Sequence, residues 1–280
     1  MKKFVNYMMV AVIALTTSCD KVFDTNREIY IRDRFLVDKI YDYHDNLLAE
    51  YIYDSDNKLI KSIYTNRSNH PVRTDDTRTV TELIYNEGRV SKIISNTQTN
   101  TIYHEFVFET RYDYHFETTF EYDSQGKLIK ENGQDLNFLY ENGRVISIGN
   151  NKEPYINTII YDNLGNIIEH IYIRPELNML GQPIAGTTQR VVYNYEYDDK
   201  PKPNFGLDYL FIYQPLPGMG TETGYAREIS QNNLTKYVNS GTTWTYTYNE
   251  YGLPKSIETK WKDIETLEPM LMKITYKQIE

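Results

Sequence analysis

The sequence is poor in the residues and patterns that carry most enzyme chemistry. Cys19 is the only cysteine in 280 residues, so the chain can form no internal disulfide, although secreted proteins of this size often carry several. We find no HExxH zinc pattern, no GxSxG nucleophile elbow, no phosphate-binding loop and no GxGxxG fingerprint. The five histidines show no metal-ligand spacing. These absences predict a protein that is not an enzyme and that has no metal and no cofactor.

Positive charge is also in short supply. Lysine and arginine number 30 against 39 acidic residues, which gives a formal net charge of −9 at pH 7. Nucleic acid requires a basic surface, so we expect no nucleic-acid partner. Beyond the N-terminus, no apolar run approaches the roughly 18–20 residues that a membrane helix needs.

The first nineteen residues stand apart in composition. A basic start precedes an apolar run at 8–15, which is too short to span a bilayer, and three small residues then precede Cys19. This resembles the lipobox of bacterial lipoproteins in a relaxed form. The resemblance implies that residues 1–18 are a signal peptide and that acylated Cys19 anchors the chain to the outer membrane, on its periplasmic or cell-surface face. The alternative to this lipoprotein interpretation is a signal that is not cleaved, with Cys19 buried in the protein. We interpret 19–29 as a polar tether.

Tyrosine, in contrast, is abundant, with 27 residues, and it recurs before aspartate or asparagine. In TTFEYDSQGKLIKE (118–131), strand-forming residues flank Asp-Ser-Gln-Gly. An Asp at the start of a turn accepts backbone N–H groups two residues on, and Gly supplies the positive φ of a type I turn with a bulge. The phrase therefore predicts a β-hairpin. We expect turn glycines of this kind at Gly88, Gly126, Gly143, Gly165 and Gly252.

Repetition of this hairpin predicts the fold class. We expect an all-β protein, an antiparallel up-and-down meander of about 14–16 strands with most tight turns at one end, curled or closed into a barrel-like sheet because open sheets rarely exceed about 10 strands. Residues 30–280 form a single predicted domain. A proline-rich excursion at 199–233 interrupts the regular meander, and we expect it to contain either a short helix near 207–213 or a ligand-facing loop. Alternation through 101–123 predicts strands. His104 and His115 would be neighbours if 101–109 paired with 115–123, and we expect satisfied strand histidines there rather than a zinc pair.

Three features together resemble a known family. They are the relaxed lipobox, the scattered YDxxGxL hairpins and the segments YNYEYDDKPKPNFGL (193–207), SQNNLTKY (230–237) and TYTYNEYGLPKSIE (245–258). They are similar to a Bacteroides-type lipoprotein family of unknown function with a porin-like fold, which implies a barrel-like antiparallel sheet and no particular activity. The hairpin phrase is also similar to the YD repeats of large toxin proteins, although the regular spacing of those repeats is missing.

These observations favour a lipid-anchored, non-enzymatic binding or envelope-structural module, with a glycan or an envelope protein as its partner. A carrier of a hydrophobic ligand and a hydrolase with paired carboxylates are the alternatives. Tyrosine and tryptophan rings suit stacking, and alternation places candidate stacking residues on one face; the alternative is that this row is core. The candidate ligand-stacking residues are Trp244, Tyr246, Tyr248 and Trp261.

Acidic turns raise the separate question of calcium. Asp54 and Asp56, and likewise Asp198 and Asp199, offer oxygen atoms of the kind that Ca²⁺ binds. Neither pair has the flanking ligands of a complete calcium loop, and turn chemistry already accounts for Asp54 and Asp198. We therefore predict no metal at either position.

Overall fold

The structure is a computed structural model. It describes residues 33–105, 108–135, 138–147, 156–207, 224–262 and 269–279. The predicted signal peptide, the lipidation site Cys19 and the tether at 19–29 lie outside the described residues, as does almost all of the helix expected near 207–213.

The described residues form strands that follow one another closely along the chain. The first nine are β1 Phe35–Tyr41, β2 Leu47–Tyr53, β3 Leu59–Asn69, β4 Arg73–Asn86, β5 Arg89–Tyr103, β6 Phe108–Tyr122, β7 Leu128–Glu131, β8 Gln134–Asp135 and β9 Leu139–Glu141. The others are β10 Arg144–Ser147, β11 Ile156–Tyr161, β12 Ile167–Arg174, β13 Gln189–Pro201, β14 Asn232–Tyr237, β15 Thr242–Tyr248, β16 Pro254–Lys260 and β17 Met270–Gln278. A helix, α1, spans Gly224–Ile229.

The main sheet has 15 antiparallel strands, in the order β11 to β17 followed by β1 to β8. The first and last strands are therefore neighbours, with Ile40 opposite Ile274. In the described residues β8 and β11 are unjoined edges, and the separate β9–β10 hairpin comes between them along the chain. The predicted all-β meander of about 14–16 strands is confirmed, and the sheet is curled without closing.

The hydrophobic core covers one face of this curled sheet. Its most deeply buried side chains come from strands along the whole chain: Val37, Ile40, Leu59, Ile167, Leu234, Ile257 and Met272. Burial of each such aliphatic side chain stabilises the fold by about 1.5–3 kcal/mol. The opposite face carries charged side chains that pair across strands, such as Lys61 with Glu82 at 2.8 Å and Lys130 with Glu121 at 3.0 Å.

The Tyr-Asp turns have one repeated geometry. At Asp123, the backbone N–H of Gly126 donates to the Asp123 carbonyl at 2.9 Å, and the Asp123 carboxylate accepts the backbone N–H of Gln125 and of Lys127. The same carboxylate or amide cap occurs at Asp42, Asp54, Asp162, Asn178 and Asn249. Because strand direction alternates, the turns after Tyr53, Tyr85, Tyr122, Tyr161 and Tyr248 all lie at one end of the sheet, which we call the turn end.

All five predicted turn glycines have positive φ: 82° at Gly88, 83° at Gly126, 78° at Gly143, 93° at Gly165 and 75° at Gly252. Two of them differ from the expected bulged turn. Before Gly88 and Gly143, Glu87 and Asn142 also have positive φ, which is typical of a two-residue type I′ hairpin.

The excursion is shorter than predicted. β13 continues through Pro201, which lies opposite Asn232 at the start of β14, because a strand end tolerates the missing proline N–H. The described part folds back onto the core: the Phe205 ring contacts Tyr51 at a centroid distance of 5.0 Å. Helix α1 follows at Gly224–Ile229.

Segments 101–109 and 115–123 do not pair with each other. β5 ends at Tyr103 and β6 begins at Phe108, so the chain reverses without glycine or proline between them. His115 consequently lies opposite Asn96 in β5, and His104 contacts Thr74 and the Pro71 carbonyl instead. The two histidines do not meet.

Candidate functional site

Four neighbouring strands present a polar and aromatic surface on the face that also carries the core. Cross-strand pairing aligns Tyr64, Thr79, Thr97 and Tyr114 in one row. The row on one side of it consists of Ser62, Thr81, Ser95 and Phe116. Two further rows follow on its other side, first Asn66, Thr77, Thr99 and Tyr112, and then Ser68, Asp75, Thr101 and Thr110. We call these four rows, with Phe108 at the start of β6, the hydroxyl–aromatic face.

Hydroxyl groups fill the middle of this face. Thr79 and Thr97 hydroxyls lie 2.8 Å apart, Thr81 and Ser95 2.9 Å apart, and the Thr101 hydroxyl donates to Asp75 at 2.6 Å. These bonds fix the side chains in place. A hydroxyl has one donor and two acceptor sites, so the partly exposed Thr79–Thr97 pair keeps capacity for a further hydrogen bond. Thr81 and Thr101 are buried, at 5% and 4% exposure, and support the surface from beneath.

Aromatic rings line the β6 side of the face. Phe108 is 57% exposed, Tyr112 46%, Tyr114 63% and Phe116 52%. β6 pairs with β7 only from Phe120 onward, so most of its outer backbone edge has no partner among the described strands. Exposed aromatics in one contiguous row commonly mark a recognition surface.

An apolar cleft of about 860 Å³ adjoins the other side of the face. Tyr64 and Asn66 line both the cleft and the face. The remaining lining includes Leu48, Met270 and Met272. Ligand pockets of roughly 300–1,000 Å³ with mostly apolar walls hold small molecules or single units of longer ones. The face and the cleft together give stacking, hydrogen-bonding and apolar contacts on one continuous surface.

The sequence-predicted stacking row lies elsewhere and is buried. Trp244 is only 5% exposed, and the guanidinium of Arg227 from α1 covers its ring at 5.6 Å. Trp261 follows the end of β16 and is half-buried. The prediction of an open stacking platform at Trp244 is wrong, because the returning excursion places α1 over this part of the sheet.

Tyr246 and Tyr248, from the same row, are engaged inside the protein. The Tyr246 hydroxyl donates to the Leu234 carbonyl at 2.7 Å, and the Tyr248 hydroxyl donates to the Asp198 carboxylate. Burial raises the pKa of both phenols and also raises the pKa of Asp198. Both tyrosines therefore make internal contacts and do not form an open stacking surface.

At the turn end, tyrosines connect each hairpin to the preceding one. The Tyr122 hydroxyl donates to the Val90 carbonyl at 2.9 Å, and the Arg89 guanidinium lies over the Tyr122 ring at 5.6 Å. Three more pairs repeat this arrangement, namely Tyr85 with Lys58, Tyr140 with Lys127 and Tyr161 with Arg144. We call Lys58, Arg89, Lys127 and Arg144 the latch cations. Burial raises the pKa of the Tyr161 hydroxyl to about 12, so that phenol stays a neutral donor near pH 7.

The turn glycines leave room for these cations. A Cβ added at Gly126 would lie 2.2 Å from Arg89 Nη2, and one at Gly165 would lie 3.2 Å from Arg144 Nη2. All four latch cations line a cleft of about 810 Å³, which is closed on its other side by Asn204, Gly206 and Ile229 of the excursion. The repeated phrase therefore builds both a turn and a cation-lined wall.

The acidic turns act as caps. Asp54 accepts the backbone N–H of Asp56 and of Lys58, while Asp198 accepts that of Lys200 and the Tyr248 hydroxyl. The described part of the chain contains no group of three His, Cys, Asp or Glu side chains placed to hold a metal ion. Its one helix is too short to cross a membrane.

Sequence reasoning missed both surfaces, although each has a signal. Threonine alternates at 77, 79 and 81 and again at 97, 99 and 101, which places a hydroxyl row on one face of each strand. A basic residue stands directly before the apolar residue that follows four of the turns, in Lys58-Leu59, Arg89-Val90, Lys127-Leu128 and Arg144-Val145.

The sequence matches no protein-family model and no curated protein. A porin-like protein from Bacteroides uniformis is structurally similar, with a TM-score of 0.41 and 14% sequence identity over 78% of this chain and 96% of that chain. The strand pairing of this chain itself establishes the all-β meander.

Proposed function

We propose that this chain is a lipid-anchored, non-enzymatic binding module of the cell envelope that holds a glycan on its hydroxyl–aromatic face. The observation that carries the proposal is the exposed ring row of β6 beside ordered hydroxyl rows. A sugar ring has an apolar face that packs on aromatic rings and hydroxyl groups that exchange hydrogen bonds with threonine.

The geometry suits an extended sugar chain. Tyr112, Tyr114 and Phe116 are alternate residues on β6, so their rings repeat about every 6.8 Å along the strand. The hydroxyl rows run from each ring across β5 and β4 toward the apolar cleft. A glycan lying along the row that ends at Tyr114 or Tyr112 would contact a ring on β6, hydroxyl groups on β5 and β4, and then the cleft.

Among the described strands β6 is unpaired along most of its outer edge, which favours one alternative partner, a protein segment that adds a strand to the sheet. Such a segment would bond to the backbone between Phe108 and Thr118 and would depend less on any single ring. A glycan bound on the face depends on the rings directly. Replacing one ring by alanine should therefore weaken the binding of a glycan and leave the binding of an added strand little changed, which distinguishes the two partners.

The test is a glycan array probed with the full-length protein in a neutral detergent. We expect retention on particular glycans, with affinity reduced about tenfold by Tyr114→Ala, in line with roughly 1.5 kcal/mol for one aromatic contact. Tyr251→Ala is the matched control, because Tyr251 is 45% exposed but lies in a turn at the far end of the sheet. Both variants should melt near the wild-type temperature. Failure of every glycan to bind would reject the proposal.

Membrane anchoring through Cys19 has its own test. Cys19→Ala removes the thiol that would carry the acyl chains, so we expect the protein to leave the membrane fraction and to lose incorporation of labelled palmitate. Stable anchoring by lipid needs more than one acyl chain, and no other cysteine is available in the sequence. Unchanged membrane retention of this variant would contradict the lipoprotein interpretation, whatever the glycan array shows.

A further inference from the structure

From the cleft at the turn end we infer a second binding site, one that takes an oligoanion: a ligand with several phosphate, sulfate or carboxylate groups. This site is separate from the hydroxyl–aromatic face. It is built from the turns that close β2–β3, β4–β5, β6–β7, β9–β10 and β11–β12 together with the returning excursion. The inference does not depend on the proposed glycan.

The latch cations have no acidic partners among the described residues, since no carboxylate there lies within ion-pair distance of any of the four. Elsewhere, Lys61 pairs with Glu82 and Lys130 with Glu121. In a chain with a net charge of −9, unpaired cations concentrated in one cleft form a local positive field that attracts anions.

The cations are also held in position. Each lies over a tyrosine ring, at 5.2 Å for Lys127 over Tyr140 and 5.4 Å for Arg144 over Tyr161. Each of those tyrosines is itself held by a hydrogen bond from its hydroxyl to the backbone of the preceding hairpin. Preorganised charges need less ordering when a ligand binds, which favours a site over a set of solvated side chains.

The spacing indicates a ligand with more than one charge. Lys58 and Arg89 stand at the starts of β3 and β5, which are two strands apart and so separated by about 9–10 Å. One phosphate or carboxylate does not bridge that distance. The cleft volume of about 810 Å³ is large enough for a short multiply charged segment, and Gln125 and Gln231 add amide groups to its wall. Asp33 and Asp56 also line the cleft, which leaves the cations in excess.

The experiment measures binding of three probes to the full-length protein in neutral detergent: inorganic pyrophosphate, a sulfated pentasaccharide, and phosphatidylglycerol mixed into the micelles. The test variant carries Lys58→Met and Lys127→Met, which keep the apolar stems over the tyrosine rings and remove two charges. The matched control carries Lys61→Met and Lys130→Met, which remove the same charge from the opposite face. Melting curves establish that both are folded, and Arg144→Gln alone is the reserve variant.

We expect saturable binding of at least one probe, weakened about a hundredfold in the test variant if each lost contact costs about tenfold, and little changed in the control. Preference for the pentasaccharide would identify a soluble acidic glycan as the source of the anions. Preference for phosphatidylglycerol, whose headgroup carries a single phosphate, would contradict a ligand with several charges. Equal weakening in both variants would show a general charge effect and overturn the inference. So would the absence of binding by every probe at low salt.

Discussion

Gly126→Ala tests whether one glycine both allows the turn and leaves room for a cation of the cleft. Gly126 has a φ of +83°, and its added Cβ would lie 2.2 Å from Arg89 Nη2 and 2.6 Å from Arg89 Cζ. The alanine therefore strains the backbone and also displaces the guanidinium, which at present lies over the Tyr122 ring.

The two effects have separate magnitudes. Holding a non-glycine residue in the left-handed region costs about 1–2 kcal/mol, and loss of an exposed cation–ring contact costs about 0.5–1 kcal/mol. We expect Gly126→Ala to lower the free energy of unfolding by roughly 1.5–3 kcal/mol. Urea denaturation followed by circular dichroism measures this, provided that the denaturant slope is unchanged.

Gly143→Ala is the control, because Gly143 has a φ of +78° and no atom within 4 Å of the added Cβ. It should cost only the backbone part, about 1–2 kcal/mol. In an Arg89→Ala background, the two alanine substitutions should then cost the same. Equal losses of unfolding free energy for Gly126→Ala and Gly143→Ala in the wild-type background would refute the reasoning. So would a larger loss for Gly126→Ala that persists in the Arg89→Ala background.

Three further measurements examine other parts of the fold. Trp244→Ala should cost about 3–5 kcal/mol, because the ring is in the core; a loss below 1 kcal/mol in urea would contradict its burial. Tyr122→Phe should cost about 1 kcal/mol by removing the 2.9 Å bond to Val90, and an unchanged midpoint would show that this bond contributes nothing. Burial lowers the pKa of His170, so the unfolded chain takes up that proton first and stability should fall as pH drops below about 6.5. His170→Gln should flatten the decline between pH 7.5 and 5.5.

Local turn chemistry explains why the fold class could be predicted. Asp123 and Gly126 act within five residues of chain, so the sequence alone carries the information for their hairpin. The register between neighbouring strands and the curl of the sheet follow from many such hairpins in succession. The reversal at His104 and Glu105 has no glycine or proline, and alternation continues through it, so periodicity placed the strands wrongly there.

The binding surfaces depend on contacts between distant residues. Whether Trp244 is a platform or core depends on Arg227, which returns to the sheet through the excursion, and nothing local to TTWTYTY indicates it. The alternating threonines were visible, yet their alignment with Tyr112 and Tyr114 required the register of three strand pairs. The latch cations likewise meet only because successive turns lie side by side.

Hydrogen exchange of the backbone tests the central claim most directly. Amide exchange is measured by mass spectrometry with and without a glycan that the array identifies. We predict slower exchange in peptides from β5 and from β6 between Phe108 and Thr119, where the rings and the unpaired edge lie, with no change in β14 to β16. Protection centred on β15 and Trp244, with β6 unchanged, would contradict the account.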